Sequence, residues 1–85
     1  MYTVYILRCA DDTLYTGITT DVVRRIEEHN ESPLGARYTR GRRPVMLVYA
    51  RSFQNRSLAS REEVRVKKLS RDKKLLLVHR LKKNV

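Results

Sequence analysis

The sequence predicts an α/β domain: a small three-stranded sheet, an antiparallel N-terminal hairpin plus a central strand, flanked by about three helices. Two strand-like runs, 2–9 and 14–19, are separated by the turn residues Ala10-Asp11-Asp12-Thr13. After residue 20 the apolar period changes from alternation to a helical repeat. A third apolar run, 45–50, is followed by two further stretches of helical periodicity.

Taken in order, residues 2–9 (YTVYILRC) are apolar on both faces, which suits a central position in a covered sheet. Residues 14–19 (LYTGIT) are β-branched and aromatic and alternate as a strand does. Register decides which side chains meet. If opposed residue numbers add to an even number, Val4, Ile6, Leu14 and Ile18 share one face. Tyr5, Leu7, Cys9, Tyr15 and Gly17 then share the other. That register gathers the aliphatic side chains more cleanly and requires a three-residue loop or a bulge.

A first helix is expected from about Asp21 to Asn30, capped by Thr20 or Asp21. At about 100° per residue, Val22, Val23 and Ile26 form one stripe. Arg25 and His29 fall at its edge, and Arg24 and Glu28 point away as a solvated pair. Residues 32–44 (SPLGARYTRGRRP) read as a loop in which Arg37, Arg40, Arg42 and Arg43 surround Tyr38. Arginine interleaved with an aromatic suits phosphate contacts and base stacking. The run 45–50 reads as a buried third strand. A second helix, capped by Ser57, would bury Leu58, Ala59, Val66 and Leu69, with Glu62 near the middle of that stripe and Glu63 on its flank. A carboxylate on an apolar face needs a partner or a metal. Ser70 caps a third helix over 71–83, whose leucines dock while its lysines stay wet, with His79 on its surface.

Composition narrows the chemistry. With 85 residues the chain has room for one domain, residues 1–85. Lys and Arg number 19 against 9 Asp and Glu, a formal net charge of +10, which attracts polyanions and nucleic acid first. Cys9 is the lone cysteine, so no intramolecular disulfide is available. The N-terminus opens directly on strand-like sequence, and no apolar run approaches the ~18 residues of a membrane span. A cytoplasmic protein with no membrane attachment is expected. Zinc-type Cys/His spacing, a P-loop and G-x-S-x-G are absent. Acidic residues are too sparse for a two-metal nuclease centre. What remains is a Tyr/Arg/Glu constellation compatible with phosphodiester hydrolysis using a single divalent ion.

Thr3-Val4-Tyr5, Tyr15-Thr16-Gly17 and Arg25 in this order and spacing resemble the GIY-YIG nuclease superfamily. LYTGITTDVVRRIEEHN, ARYTRGRRPVMLVY and SLASREEVRVKKLS resemble more closely its small single-domain bacterial members, predicted endonucleases. The first motif departs from the family pattern by lacking its initial glycine while keeping the tyrosine. The resemblance implies a metal-dependent DNA endonuclease. Position by position, it implies Tyr5 and Tyr15 as the motif tyrosines and Gly17 as the point of close approach between backbone and substrate. Arg25 would be the catalytic arginine, His29 the helix-borne histidine and Glu63 the ligand of Mg²⁺ or another divalent ion such as Mn²⁺. Tyr5 would take a proton from the attacking water, and Arg25 would stabilise charge on the phosphorane. Gly17, Arg37, Tyr38, Arg40, Arg42, Arg43 and Lys67 are the expected nucleic-acid contacts, with DNA favoured over RNA. Nothing in the sequence supports a protein partner or a homo-oligomer. The rival reading is a basic DNA- or RNA-binding domain that kept the fold without the chemistry.

Overall fold

The structure, a computed structural model, describes residues 1–31 and 35–83, with side chains as far as residue 79. Three strands, β1 (Tyr2–Arg8), β2 (Leu14–Thr19) and β3 (Met46–Phe53), form one antiparallel sheet in the order β2-β1-β3. The described helices are α1 (Val22–Glu31), α2 (Arg37–Arg40), α3 (Arg56–Lys67) and α4 (Arg71–Lys83). The α/β class and the N-terminal hairpin are therefore as the sequence predicts.

In the hairpin, Val4 opposes Ile18, Tyr5 opposes Gly17 and Leu7 opposes Tyr15, which is the even register. Its loop is Ala10-Asp11-Asp12, closed by Cys9 N–H donating to Thr13 O at 2.9 Å. Asp12 takes φ 70°, the left-handed conformation a three-residue hairpin loop needs at its end and one that Asp tolerates better than most residues. The Asp11 carboxylate accepts from the Thr13 hydroxyl at 2.6 Å and so braces the turn.

The sheet is covered on both faces. On one, Tyr5, Leu7, Cys9 and Val45 are buried together, with Tyr15 and the α1 residues Val22 and Ile26 against them. On the other, Ile6 and Tyr49 pack with Val66 of α3 and Val78 of α4. This two-sided burial explains why β1 is apolar on both faces, each fully buried aliphatic side chain contributing about 1.5–3 kcal/mol.

Several local expectations change. β1 is central, as its two apolar faces predict, but the third strand is not: β3 lies at the edge, with Met46 67% exposed. An unbroken apolar run does not reveal whether a strand has neighbours on both sides. Between Ile6 and Leu7 the pairing with β3 slips by one residue, leaving Val48 as the extra residue of a bulge. The segment expected to be all loop contains α2, and its residues 32–34 lie outside the described residues. Val23 and Leu58 are exposed rather than buried, as is Leu76. The α3 cap is Asn55, whose side chain accepts from Leu58 N–H at 2.9 Å, in place of Ser57. For α1 the cap is Asp21, accepting from Arg24 N–H at 3.1 Å. Ser70 accepts from Lys73 N–H at the start of α4, and His79 is exposed.

Two polar clamps fix α1 against the chain that follows it. Asn30 donates to Val45 O at 3.2 Å and accepts from Val45 N–H at 2.7 Å. Arg43 donates to the carbonyls of His29 and Glu28, satisfying the C-terminal end of α1.

Candidate active site

The hairpin register puts Tyr5 and Tyr15 on one face of the sheet, and Asp21 starts α1 so that Arg25 and His29 turn back onto that face. The Tyr5 hydroxyl is where they meet. It lies 2.9 Å from His29 Nε2, and the Arg25 guanidinium is within hydrogen-bonding reach of it. Gly17 stands directly across from Tyr5, and a Cβ there would come within 2.6 Å of Tyr5 Cζ. Glycine is therefore required by close approach of the ring to the neighbouring strand. Tyr15 stands beside both groups, its ring centroid 6.4 Å from Tyr5 and 5.2 Å from His29.

Burial sets the protonation states. Desolvation pushes the Tyr5 hydroxyl up to about 12, with Arg25 opposing the shift and losing to it. The protein therefore holds Tyr5 protonated at neutral pH, and a standing tyrosinate is not its resting state. Burial, reinforced by the Arg25 charge, pushes His29 down to about 4, so its imidazole is neutral. His29 is fully buried, not at the stripe's edge, and its Nδ1 lies 2.8 Å from Thr39 Oγ1.

Arg25 also pairs with Glu28, Nη1 to Oε1 at 2.9 Å, whereas Arg24 Nε stands 4.0 Å from Glu28 and its side chain is 61% exposed. The expected Arg24–Glu28 pair is present at that longer distance, and Glu28 makes its shorter contact with Arg25. Glu28 buttresses the Arg25 guanidinium, and Arg24 stays largely exposed.

The neighbouring carboxylates of α3 separate as well. Glu62 is buried and accepts from Arg65, with Arg51 Nη1 at 3.3 Å. The Arg65 hydrogen bond holds its carboxyl below the usual range against desolvation. Glu63 lies on the flank, 3.8 Å from Lys67 Nζ, near enough to Tyr5 for its charge to raise that hydroxyl's pKa. Among the described residues, no three His, Cys, Asp or Glu side chains converge into a metal cage. A magnesium ion needs none: it is commonly held by one or two carboxylates, its own waters and substrate phosphate. The carboxylate of Glu63, whose charge reaches Tyr5, fits that donor set.

The basic segment after α1 divides in two. Arg37 and Arg40 are exposed on α2, and Lys67 is exposed on α3. Tyr38 stacks on Tyr15 at 5.8 Å, and the Arg42 guanidinium lies 4.1 Å over the Tyr38 ring while pairing with Asp11 at 3.0 Å. Arg43 is committed to the end of α1. The structure thus brings Tyr5, Tyr15, Gly17, Arg25 and His29 together, with Glu63 within electrostatic range of Tyr5, and sets Arg37, Arg40 and Lys67 at the surface. Thr39 and Asn30 escaped the sequence reading. A threonine among loop arginines and an asparagine at a helix end carry no periodic signal.

Residues 1–75 match the family model described as the GIY-YIG catalytic domain. The chain is 61% identical over 75 residues to a UPF0213 protein of Desulfotalea psychrophila, covering 88% of this chain and 68% of that one. It is 54% identical over 74 residues to a UPF0213 protein of Halobacterium salinarum, covering 87% and 95%. The solution NMR structure of a UPF0213 protein from Bacillus halodurans is similar at a TM-score of 0.60 and 52% identity, over 93% of this chain and 84% of that one. Among the described residues no helix is long and apolar enough to cross a membrane.

Proposed function

Because this chain belongs to the GIY-YIG catalytic-domain family, we propose that it is a divalent-metal-dependent endonuclease hydrolysing DNA phosphodiester bonds at the Tyr5 hydroxyl. The observation that carries this reading is the convergence on that one oxygen of His29 Nε2 at 2.9 Å, the Arg25 guanidinium and the bare backbone of Gly17.

In this mechanism water attacks phosphorus in line with the departing 3′ oxygen. As the new O–P bond forms, the water proton passes to Tyr5 Oη while Tyr5 passes its own proton to His29 Nε2. The relay avoids the standing tyrosinate that burial disfavours. Tyr15 orients the water or a phosphate oxygen. Arg25 offers permanent charge in a planar fork to the equatorial oxygens, and Glu28 holds that fork in place. The 3′ oxygen leaves as the P–O bond breaks and takes its proton from solvent. A Mg²⁺ or Mn²⁺ held by Glu63 would supply positive charge at the leaving oxygen. Arg37, Arg40 and Lys67 supply the sequence-independent phosphate contacts.

The two adjacent glutamates provide the test. Glu63→Gln should abolish Mg²⁺-dependent cleavage of a labelled DNA duplex while DNA binding persists. Glu62→Gln should cleave at close to the native rate and lose about 1–2 kcal/mol of stability, modest because both its arginines are half exposed. The reverse pattern would move the metal ligand to Glu62 and refute the assignment.

A further inference from the structure

The tautomer of His29 is chosen by a residue outside the tyrosine, arginine and glutamate set. Thr39 is fully buried. Its hydroxyl donates its one proton to the carbonyl of Ala36 at 2.9 Å, within the single turn of α2. Towards His29 Nδ1, 2.8 Å away, it has only a lone pair to offer. A hydrogen bond there requires the proton to sit on Nδ1. A neutral imidazole with Nδ1 protonated has a bare Nε2, and Nε2 is the atom 2.9 Å from the Tyr5 hydroxyl.

We infer that Thr39 is a positioning residue for the reaction: by accepting from His29 Nδ1–H it fixes the tautomer in which Nε2 receives the Tyr5 proton. The chain Tyr5 Oη–H to His29 Nε2, His29 Nδ1–H to Thr39 Oγ1, and Thr39 Oγ1–H to Ala36 O then runs in one direction. With the other tautomer, Nε2–H would donate to Tyr5, and the hydroxyl would have nowhere to pass its proton. Because Thr39 sits between Arg37 and Arg40 on α2, the segment that presents cations outward also holds the tautomer inward. The catalytic consequence rests on the endonuclease reading, while the tautomer itself does not.

The test pairs a spectroscopic readout with kinetics. Long-range ¹H–¹⁵N correlation of the histidine rings at neutral pH should show His29 as the Nδ1–H form in the native protein. Thr39→Val keeps the shape and removes the acceptor; it should shift His29 towards Nε2–H and lower kcat by about 100-fold, the lower end of what positioned proton transfer supplies, with KM little changed. Thr39→Ser keeps the hydroxyl and should retain both the native tautomer and most of the rate. A native protein holding Nε2–H overturns the inference even if Thr39→Val fails to fold. So does a folded Thr39→Val protein that keeps Nδ1–H, or a Thr39→Ser protein that loses it. If the protein cuts no DNA at all, the spectra still decide the tautomer, and only the endonuclease reading fails.

Discussion

His29 is exposed to no solvent and has a neutral ring, and that combination leaves a thermodynamic signature. In the unfolded chain its pKa returns to about 6.5, while in the folded protein it is pushed down to about 4. Above pH 6.5 both states carry a neutral ring and His29 contributes no slope. Between pH 6.5 and 4 the unfolded chain binds a proton that the folded protein refuses, so stability falls as pH falls, by up to about 3 kcal/mol. Below pH 4 both forms are protonated and the loss from this residue stops. Urea midpoints measured from pH 8 to pH 4 should show this decline, and His29→Gln should flatten it. Glu62, held below the usual carboxylate range, loses its contribution at lower pH. Tyr5 gives the mirror image at high pH: raised to about 12, it costs stability as pH climbs from about 10, where the unfolded tyrosine ionises.

Among the elements, the β1–β2 hairpin does most to build the site, and Gly17 is its most constrained position. An alanine methyl there would drive into the Tyr5 ring. Gly17→Ala should leave the strand pairing intact, cost about 1–3 kcal/mol from overpacking, and reduce cleavage by about 100-fold or more as Tyr5 is displaced from His29. Urea midpoints and cleavage rates on the same preparation separate the two effects; a folded variant with native activity would show that the Tyr5 position is not critical. The hairpin is also the part most legible in sequence. Alternation in β2, together with the cleaner gathering of aliphatics, favours the even register without reference to any structure. The period change at Asp21 likewise places α1 and separates Arg25 from Arg24. What failed has identifiable causes. Val23 and Leu58 lie at the margins of their stripes, where a small rotation of the helix decides exposure. Asn55 and Ser57 are both good caps, and the extended backbone at Asn55, φ −139° and ψ 164°, decides between them. At four residues α2 is too short to show a period, so Thr39 could not be placed beside His29.

For the whole molecule, the +10 charge attracts polyanions but does not say where they bind. The fold assigns the cations different tasks: Arg43 ends α1, Arg42 braces Tyr38 and Asp11, and Arg37 and Arg40 face outward from α2. Replacing Arg37 and Arg40 together by Ala should shallow the dependence of log DNA affinity on log salt by about 0.9 for each phosphate left without its arginine. Arg43→Ala should instead lower stability and leave that slope unchanged. Titration of both variants by fluorescence anisotropy at several salt concentrations checks the division. An unchanged slope for the Arg37/Arg40 pair would move binding to the lysines of α4. The proposed chemistry turns on the Tyr5 hydroxyl, and the most direct test removes that oxygen alone. Native protein and Tyr5→Phe are incubated with labelled linear, branched and single-stranded DNA, in Mg²⁺ and in EDTA. The mechanism predicts that the native protein cuts at least one of these DNAs in Mg²⁺ and none in EDTA, and that Tyr5→Phe binds the same DNA and leaves it whole. Cleavage by Tyr5→Phe at the native rate, or native protein that binds every DNA and cuts none, would contradict it.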